Sequence, residues 1–172
     1  MVRYEYIKLK DKTKIPGNCT EFSCYNRNLT ELPVLPNSLE ELYCFENKLT
    51  ELPELSNSLE KLWCSNNNLT YLPVLPNSLI ELQCCYNNLT LLPKLPTSLL
   101  FLYCNNNKLY ELPELPTSLI KLCCGNNNIK YLSPNNCEVM KKCYEINVLN
   151  NPFSMGFTID EDFKEYLMNL NL

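Results

Sequence analysis

Leucine returns on a fixed beat along most of this chain. From Leu39 onward the order of apolar and polar positions reads L-x-x-L-x-C-x-x-N-x-L-T-x-L-P-x-L-P-x-S, and it repeats every twenty residues. Units begin at Cys19, Leu39, Leu59, Leu79, Leu99 and Leu119, and a degenerate seventh is expected from Val139. One apolar column runs Phe22, Leu42, Leu62, Leu82, Leu102, Leu122. Another runs Leu29, Leu49, Leu69, Leu89, Leu109, Ile129. A single twenty-residue unit holds too few apolar side chains to offset the entropy of ordering its backbone. Each unit must therefore share its core with its neighbours, which is the sequence signature of a solenoid.

Within a unit the pattern changes period. In "LYC", "LWC", "LQC" and "LCC" the outer two residues share a face and the middle one points the other way, as in a short strand. Such strands stack in parallel about 4.8 Å apart. The return limb, as in "LTELPELP", carries two prolines, which forbid a helix interior and favour an extended, polyproline-like path. These elements predict a right-handed parallel solenoid with strands on its concave side and an extended convex side. The column Asn47, Asn67, Asn87, Asn107 and Asn127 follows the strands. A carboxamide both donates and accepts, so this column is expected to satisfy backbone groups of its own and adjacent coils. The first unit carries Arg27 at this position, so the ladder is expected to start one coil later.

These residues resemble leucine-rich repeats, specifically the twenty-residue class with an "LPxLPxSL" back found in bacterial effectors of the YopM and IpaH type; similar arrays occur in large DNA viruses of amoebae. The resemblance covers about residues 19–150. It implies an α/β-type leucine-rich repeat solenoid of six regular units plus one degenerate. The Cys column stands where that family usually has Val or Leu. The ligase members carry a separate catalytic domain after their repeats, and the roughly twenty residues beyond the last coil here are too few for one. Residues 1–18 are read as an N-terminal cap, with Tyr4 and Tyr6 alternating with charges as in a strand. Residues 151–172 are read as a C-terminal cap containing a helix over about 159–170. Thr158 and Glu161 have capping-box spacing, and Phe163, Tyr166, Leu167 and Leu170 share a helical face.

Composition narrows the chemistry. The formal net charge is −4, which argues against a nucleic-acid partner. Histidine is absent, which removes the commonest general base and metal ligand. Alanine is absent and Asn abundant, a bias that fits an AT-rich genome and, with the resemblance, favours a viral origin. No apolar run approaches the roughly 18 residues of a membrane span, and the charged N-terminus lacks a secretory apolar stretch. The eleven cysteines then read as free thiols in a reducing cytoplasm, of the host if the chain is an effector. Cys24, Cys44, Cys64, Cys84, Cys104 and Cys124 form an inward column that reads as packing, since buried Cys behaves as a small hydrophobe. Cys85 and Cys123 are expected on the exposed face, with no neighbouring base to activate them. No cofactor or metal is implied, and no catalytic constellation is present.

The variable positions carry the functional information. The outward column runs Ser23, Tyr43, Trp63, Gln83, Tyr103, Cys123, and its neighbour runs Tyr25, Phe45, Ser65, Cys85, Asn105, Gly125. The preceding column runs Glu21, Glu41, Lys61, Glu81, Phe101, Lys121, and Tyr86 lies just past the strands. An aromatic stripe thus crosses a flat face flanked by Glu40, Glu46 and Glu60. Exposed aromatic side chains on a rigid surface are typical binding anchors. The expectation is a non-enzymatic scaffold that binds a protein partner through Tyr43, Phe45, Trp63, Phe101 and Tyr103, with Glu41 and Lys61 tuning specificity. The alternative is a structural array that self-associates as a weak homodimer or larger assembly. The polar back, with Glu54, Lys94, Glu111 and Glu114, reads as solvated.

Overall fold

The computed structural model describes residues 3–5, 15–156 and 160–169. Its strands are three residues long and lie in chain order in one parallel sheet. They are β1 (Arg3–Glu5), β2 (Glu21–Ser23), β3 (Glu41–Tyr43), β4 (Lys61–Trp63), β5 (Glu81–Gln83), β6 (Phe101–Tyr103), β7 (Lys121–Cys123) and β8 (Glu145–Asn147). From β2 to β7 every strand pairs with the next at a twenty-residue offset: Phe22 with Leu42, Leu42 with Leu62, and onward to Leu102 with Leu122. The repeat read from the sequence is therefore the hydrogen-bonding register of the sheet.

The core lies behind the strands. Leu42, Leu62, Leu82 and Leu102 are fully buried, as are Leu49, Leu69, Leu89 and Leu109 in the next column. The return limbs are extended, without helix, from coil one to coil five. Each ends in a tight turn in which a leucine N–H donates to the carbonyl three residues before it, a proline in all but one limb, as Leu79 does to Pro76 at 3.1 Å, while Leu59 donates to Ser56 at 3.1 Å. "KIPG" makes the same turn, Cys19 N–H donating to the Pro16 carbonyl at 3.0 Å. The consensus serine finds a use the sequence did not suggest. Ser78 Oγ donates to the carbonyls of Asn57 and Leu59, at 2.9 and 2.7 Å, and so ties its turn to the turn before it; Ser38, Ser98 and Ser118 do likewise, and in the second limb Ser56 Oγ donates to the Asn37 carbonyl at 2.7 Å.

The Asn ladder joins the coils on the other side of the strands. Asn67 Nδ2 donates to the carbonyls of Cys44 and Cys64 at 3.0 and 3.1 Å, while its Oδ1 accepts the N–H of Leu49 at 3.0 Å. Asn47, Asn87, Asn107 and Asn127 repeat this arrangement. The ladder starts at Asn47, which accepts from the N–H groups of Arg27 and Leu29, and it ends at Asn151, which accepts from Ile129. A second Asn column sits one residue earlier in the turn. Asn26, Asn66, Asn106, Asn126 and Asn150 all have positive φ, from 53° to 61°. Asn enters this left-handed region more readily than other residues with a Cβ. The abundance of Asn thus has a conformational cause beyond any genomic bias.

The last coil departs from the expected register. Leu122 pairs with Ile146, an offset of twenty-four, so the seventh coil starts at Cys143 and not at Val139. The additional residues form α1 (Pro134–Lys142) on the convex side. Ser133 caps this helix, its Oγ accepting the Asn136 N–H at 3.1 Å, and Lys141 and Lys142 lie in its last turn, where cations are favourable. Its nine residues span roughly 13 Å, which lets a longer limb close within one coil. Val139 and Met140 are buried there in place of the usual leucines.

A second helix, α2 (Asp160–Asn169), covers the end of the stack with Phe163 and Leu167 buried. Phe163 meets Phe153 edge to face at 5.5 Å. Asp160 accepts the N–H groups of Val148 and Leu149, and Lys164 Nζ donates to the Cys143 carbonyl at 2.7 Å, so α2 satisfies backbone groups on both sides of β8. Tyr166 remains about half exposed. Tyr6, Thr158 and Leu170 lie outside the described residues.

Candidate functional site

The strand face opposite the leucines is where the repeat stops dictating residues. In β3 to β7 the central residue is buried and both its neighbours are half-buried, so alternation delivers columns of variable side chains to one surface. Direct pairing of Tyr43 with Trp63 across β3 and β4 puts their rings edge to face at 4.9 Å. Phe45 adjoins Trp63 at 6.3 Å, and on its other side Tyr25 stacks on it at 4.8 Å with planes within 4°. Four rings from three coils form one continuous cluster. The Trp63 Nε1–H is enclosed by this packing and has no acceptor among the described residues.

Charged groups grip the cluster from the column before it. Glu41 accepts from Tyr43 Oη at 2.5 Å and from Lys61 Nζ at 2.9 Å. Burial and this hydrogen bond to a carboxylate push the Tyr43 phenol well above its ordinary value, so it stays protonated and donating. The bond to Glu41 also raises Lys61 and keeps it cationic. One coil further, Gln83 Nε2 donates to Glu81 at 2.7 Å. At β7, Lys121 pairs with Glu145 at 2.7 Å and stands over the Tyr103 ring at 5.3 Å.

Five of the seven residues singled out in the sequence are brought together: Glu41, Tyr43, Phe45, Lys61 and Trp63. Phe101 and Tyr103 share the face but lie beyond Glu81 and Gln83 of β5, and no ring contact joins them to the cluster among the described residues. Tyr25 is the member that the choice of residues left out. Its signal was the twenty-residue offset to Phe45. Glu46 and Tyr86 fill the left-handed turn position that Asn takes in other coils, with φ of 56° and 53°. Both are exposed at the border of the face.

Burial disfavours ionisation of the thiols on both faces of the strands. None of the eleven cysteines is in a disulfide, and the inward column from Cys24 to Cys124 is buried. Burial raises Cys24 to about 12 and lifts Cys44, Cys84 and Cys104 well above the ordinary thiol value. The half-buried thiols on the outward face rise too. Burial takes Cys123 to about 11 despite nearby Lys121, and Cys85 is also raised while its Sγ donates to Asn105 Oδ1. Thiolate, the reactive form, is scarce at neutral pH in every one of these positions. Among the described residues no cluster of His, Cys, Asp and Glu could hold a metal ion, and no helix is long and apolar enough to cross a membrane.

Short parallel strands on one side, extended proline-bearing returns on the other and an inward carboxamide ladder define a leucine-rich repeat solenoid. No protein-family model and no curated protein matches the chain. Solved structures do. YopM from Yersinia enterocolitica WA-314 is similar with a TM-score of 0.73 and 33% identity, over 81% of this chain and 35% of that one. YopM from Yersinia pestis, described as a leucine-rich effector protein, is similar at 0.65 and 34%, over 80% of this chain and 45% of that one. A Shigella effector leucine-rich repeat domain is similar at 0.72 and 30%, over 89% of this chain and 67% of that one. The chain therefore belongs to the leucine-rich repeat proteins of the twenty-residue effector class. It spans about a third of one YopM chain and under half of the other.

Proposed function

We propose that the chain is a non-enzymatic scaffold that holds a protein partner on its concave strand face, in the cytoplasm of a host cell. The observation that carries this reading is the continuous ring cluster of Tyr25, Phe45, Trp63 and Tyr43, half-exposed on a sheet whose backbone is fixed on both sides. Rigid aromatic side chains offer large contact area at little entropic cost. The ion pair of Lys61 with Glu41 orients the cluster's border and sets which partners fit. The effector relatives support an interaction role, and eleven cysteines without a disulfide among them fit a reducing compartment.

The test is capture from host-cell lysate by the tagged chain and by its Trp63→Ala/Tyr103→Ala variant, with a melting curve to verify folding. Loss of the captured protein in the variant is the expected result. Unchanged capture by the folded variant overturns the concave-face reading.

A further inference from the structure

We propose that the aromatic concave face is built for a basic, arginine-rich protein segment laid across β3, β4 and β5. This rests on the reading of the face as the binding surface and adds the chemistry of its occupant. Over the coils from β3 to β8, the outward and border positions carry Glu40, Glu41, Glu46, Glu60, Glu81 and Glu145. They carry only two cations, Lys61 and Lys121. Six carboxylates against two ammonium groups leave an excess of four negative charges at these positions. The surface that displays the rings is acidic.

The face's own cations are already engaged. Lys61 is held by Glu41 at 2.9 Å, and Lys121 by Glu145 at 2.7 Å. Glu40, Glu46 and Glu60 make no ion pair or side-chain hydrogen bond among the described residues, and they flank the coils that hold Phe45 and Trp63. Lys121 over the Tyr103 ring shows the pairing of cation, ring and carboxylate that this surface supports. Arginine suits such a surface better than lysine, because its planar guanidinium stacks on a ring while its fork reaches a carboxylate. Nucleic acid is repelled by the same charge. A second copy of this chain, docked face to face, would set one acidic surface against another.

The test uses the purified full chain and fluorescein-labelled nona-arginine, nona-lysine and nona-glutamate peptides, read by fluorescence anisotropy at physiological salt. Nona-arginine is expected to bind several-fold tighter than nona-lysine, and nona-glutamate not at all. The variant Glu40→Gln/Glu46→Gln/Glu60→Gln is expected to weaken nona-arginine binding about tenfold. The variant Glu54→Gln/Glu111→Gln/Glu114→Gln, which removes the same charge from the convex side, is expected to change it by less than about twofold. Equal losses in the two variants, or no binding of nona-arginine, overturn the basic occupant. If they do so while Trp63→Ala/Tyr103→Ala still abolishes partner capture, the binding face stands and only its proposed occupant falls. If capture is also insensitive, both fall.

Discussion

The carboxamide oxygen of Asn67 accepts the backbone N–H of Leu49 at 3.0 Å, so a side chain from one coil secures the chain of the coil before it. The same amide donates to the carbonyls of Cys44 and Cys64. Asn67→Ala leaves these buried groups without partners and is expected to cost about 3 kcal/mol. Asn67→Asp keeps the acceptor but turns a carboxylate toward two carbonyl oxygens, and is expected to cost at least as much at neutral pH. Urea midpoints of the two variants against the parent chain check both values.

The thiol column makes the fold sensitive to alkali. An unfolded thiol ionises near the ordinary value of 9.0, while burial raises Cys24 to about 12 in the folded chain and lifts the deeper thiols of the column well above their ordinary value. Above that ordinary value the unfolded chain binds fewer protons than the folded one, so stability falls as pH rises. It is fully present below pH 9 and is expected to decline by about 1.4 kcal/mol per pH unit for each buried thiol that ionises only on unfolding. Urea midpoints measured from pH 7 to pH 11 test this. A midpoint that stays flat above pH 9 contradicts it.

Tyr86 sits at φ 53°, in a turn position where other coils place Asn. Tyr86→Asn is expected to stabilise the chain by about 1 kcal/mol. If the border of the strand face contacts the partner, the same change also lowers partner affinity, since it removes a ring that is about half exposed. Denaturation and affinity measured on one preparation are expected to move in opposite directions.

Gly125 stands where the other coils place larger side chains. A Cβ added there would lie 2.3 Å from Asn147 Oδ1 and 3.0 Å from the Leu149 carbonyl oxygen. The side chain can swing away but the carbonyl cannot, so Gly125→Ala is expected to cost about 1–2 kcal/mol. Adding Asn147→Ala is expected to recover part of that loss. A thermal melt of the single and double variants measures it.

Most of the fold was legible because one physical constraint, the sharing of a core between equal coils, wrote itself into the sequence six times over. The strands, the inward thiols, the Asn ladder and its start at Asn47 all follow from columns. What was not legible lies where the columns end. Val139 falls twenty residues after Leu119 and reads as the next coil, but Ser133 and Pro134 start a helix there and delay the coil to Cys143. The signal was present in a Ser-Pro helix start and in the paired lysines of the last turn. The ring cluster was legible in outline, because offsets of twenty put Tyr25 beside Phe45 and Tyr43 beside Trp63. The gap that Glu81 and Gln83 open between this cluster and Tyr103 depends on what each coil places at one position, which no period dictates.

The joints between coils are chemically alike. From Asn47 to Asn127 each carboxamide meets a carbonyl of its own coil and one of the coil before, always at the same spacing. An in-frame gain or loss of twenty residues between Leu39 and Leu119 leaves every such joint intact. Recombination within the gene can therefore lengthen, shorten or reorder the array without inventing a new core. Each event trades one set of outward side chains for another, which gives a lineage under pressure to change its target a fast route to new recognition surfaces.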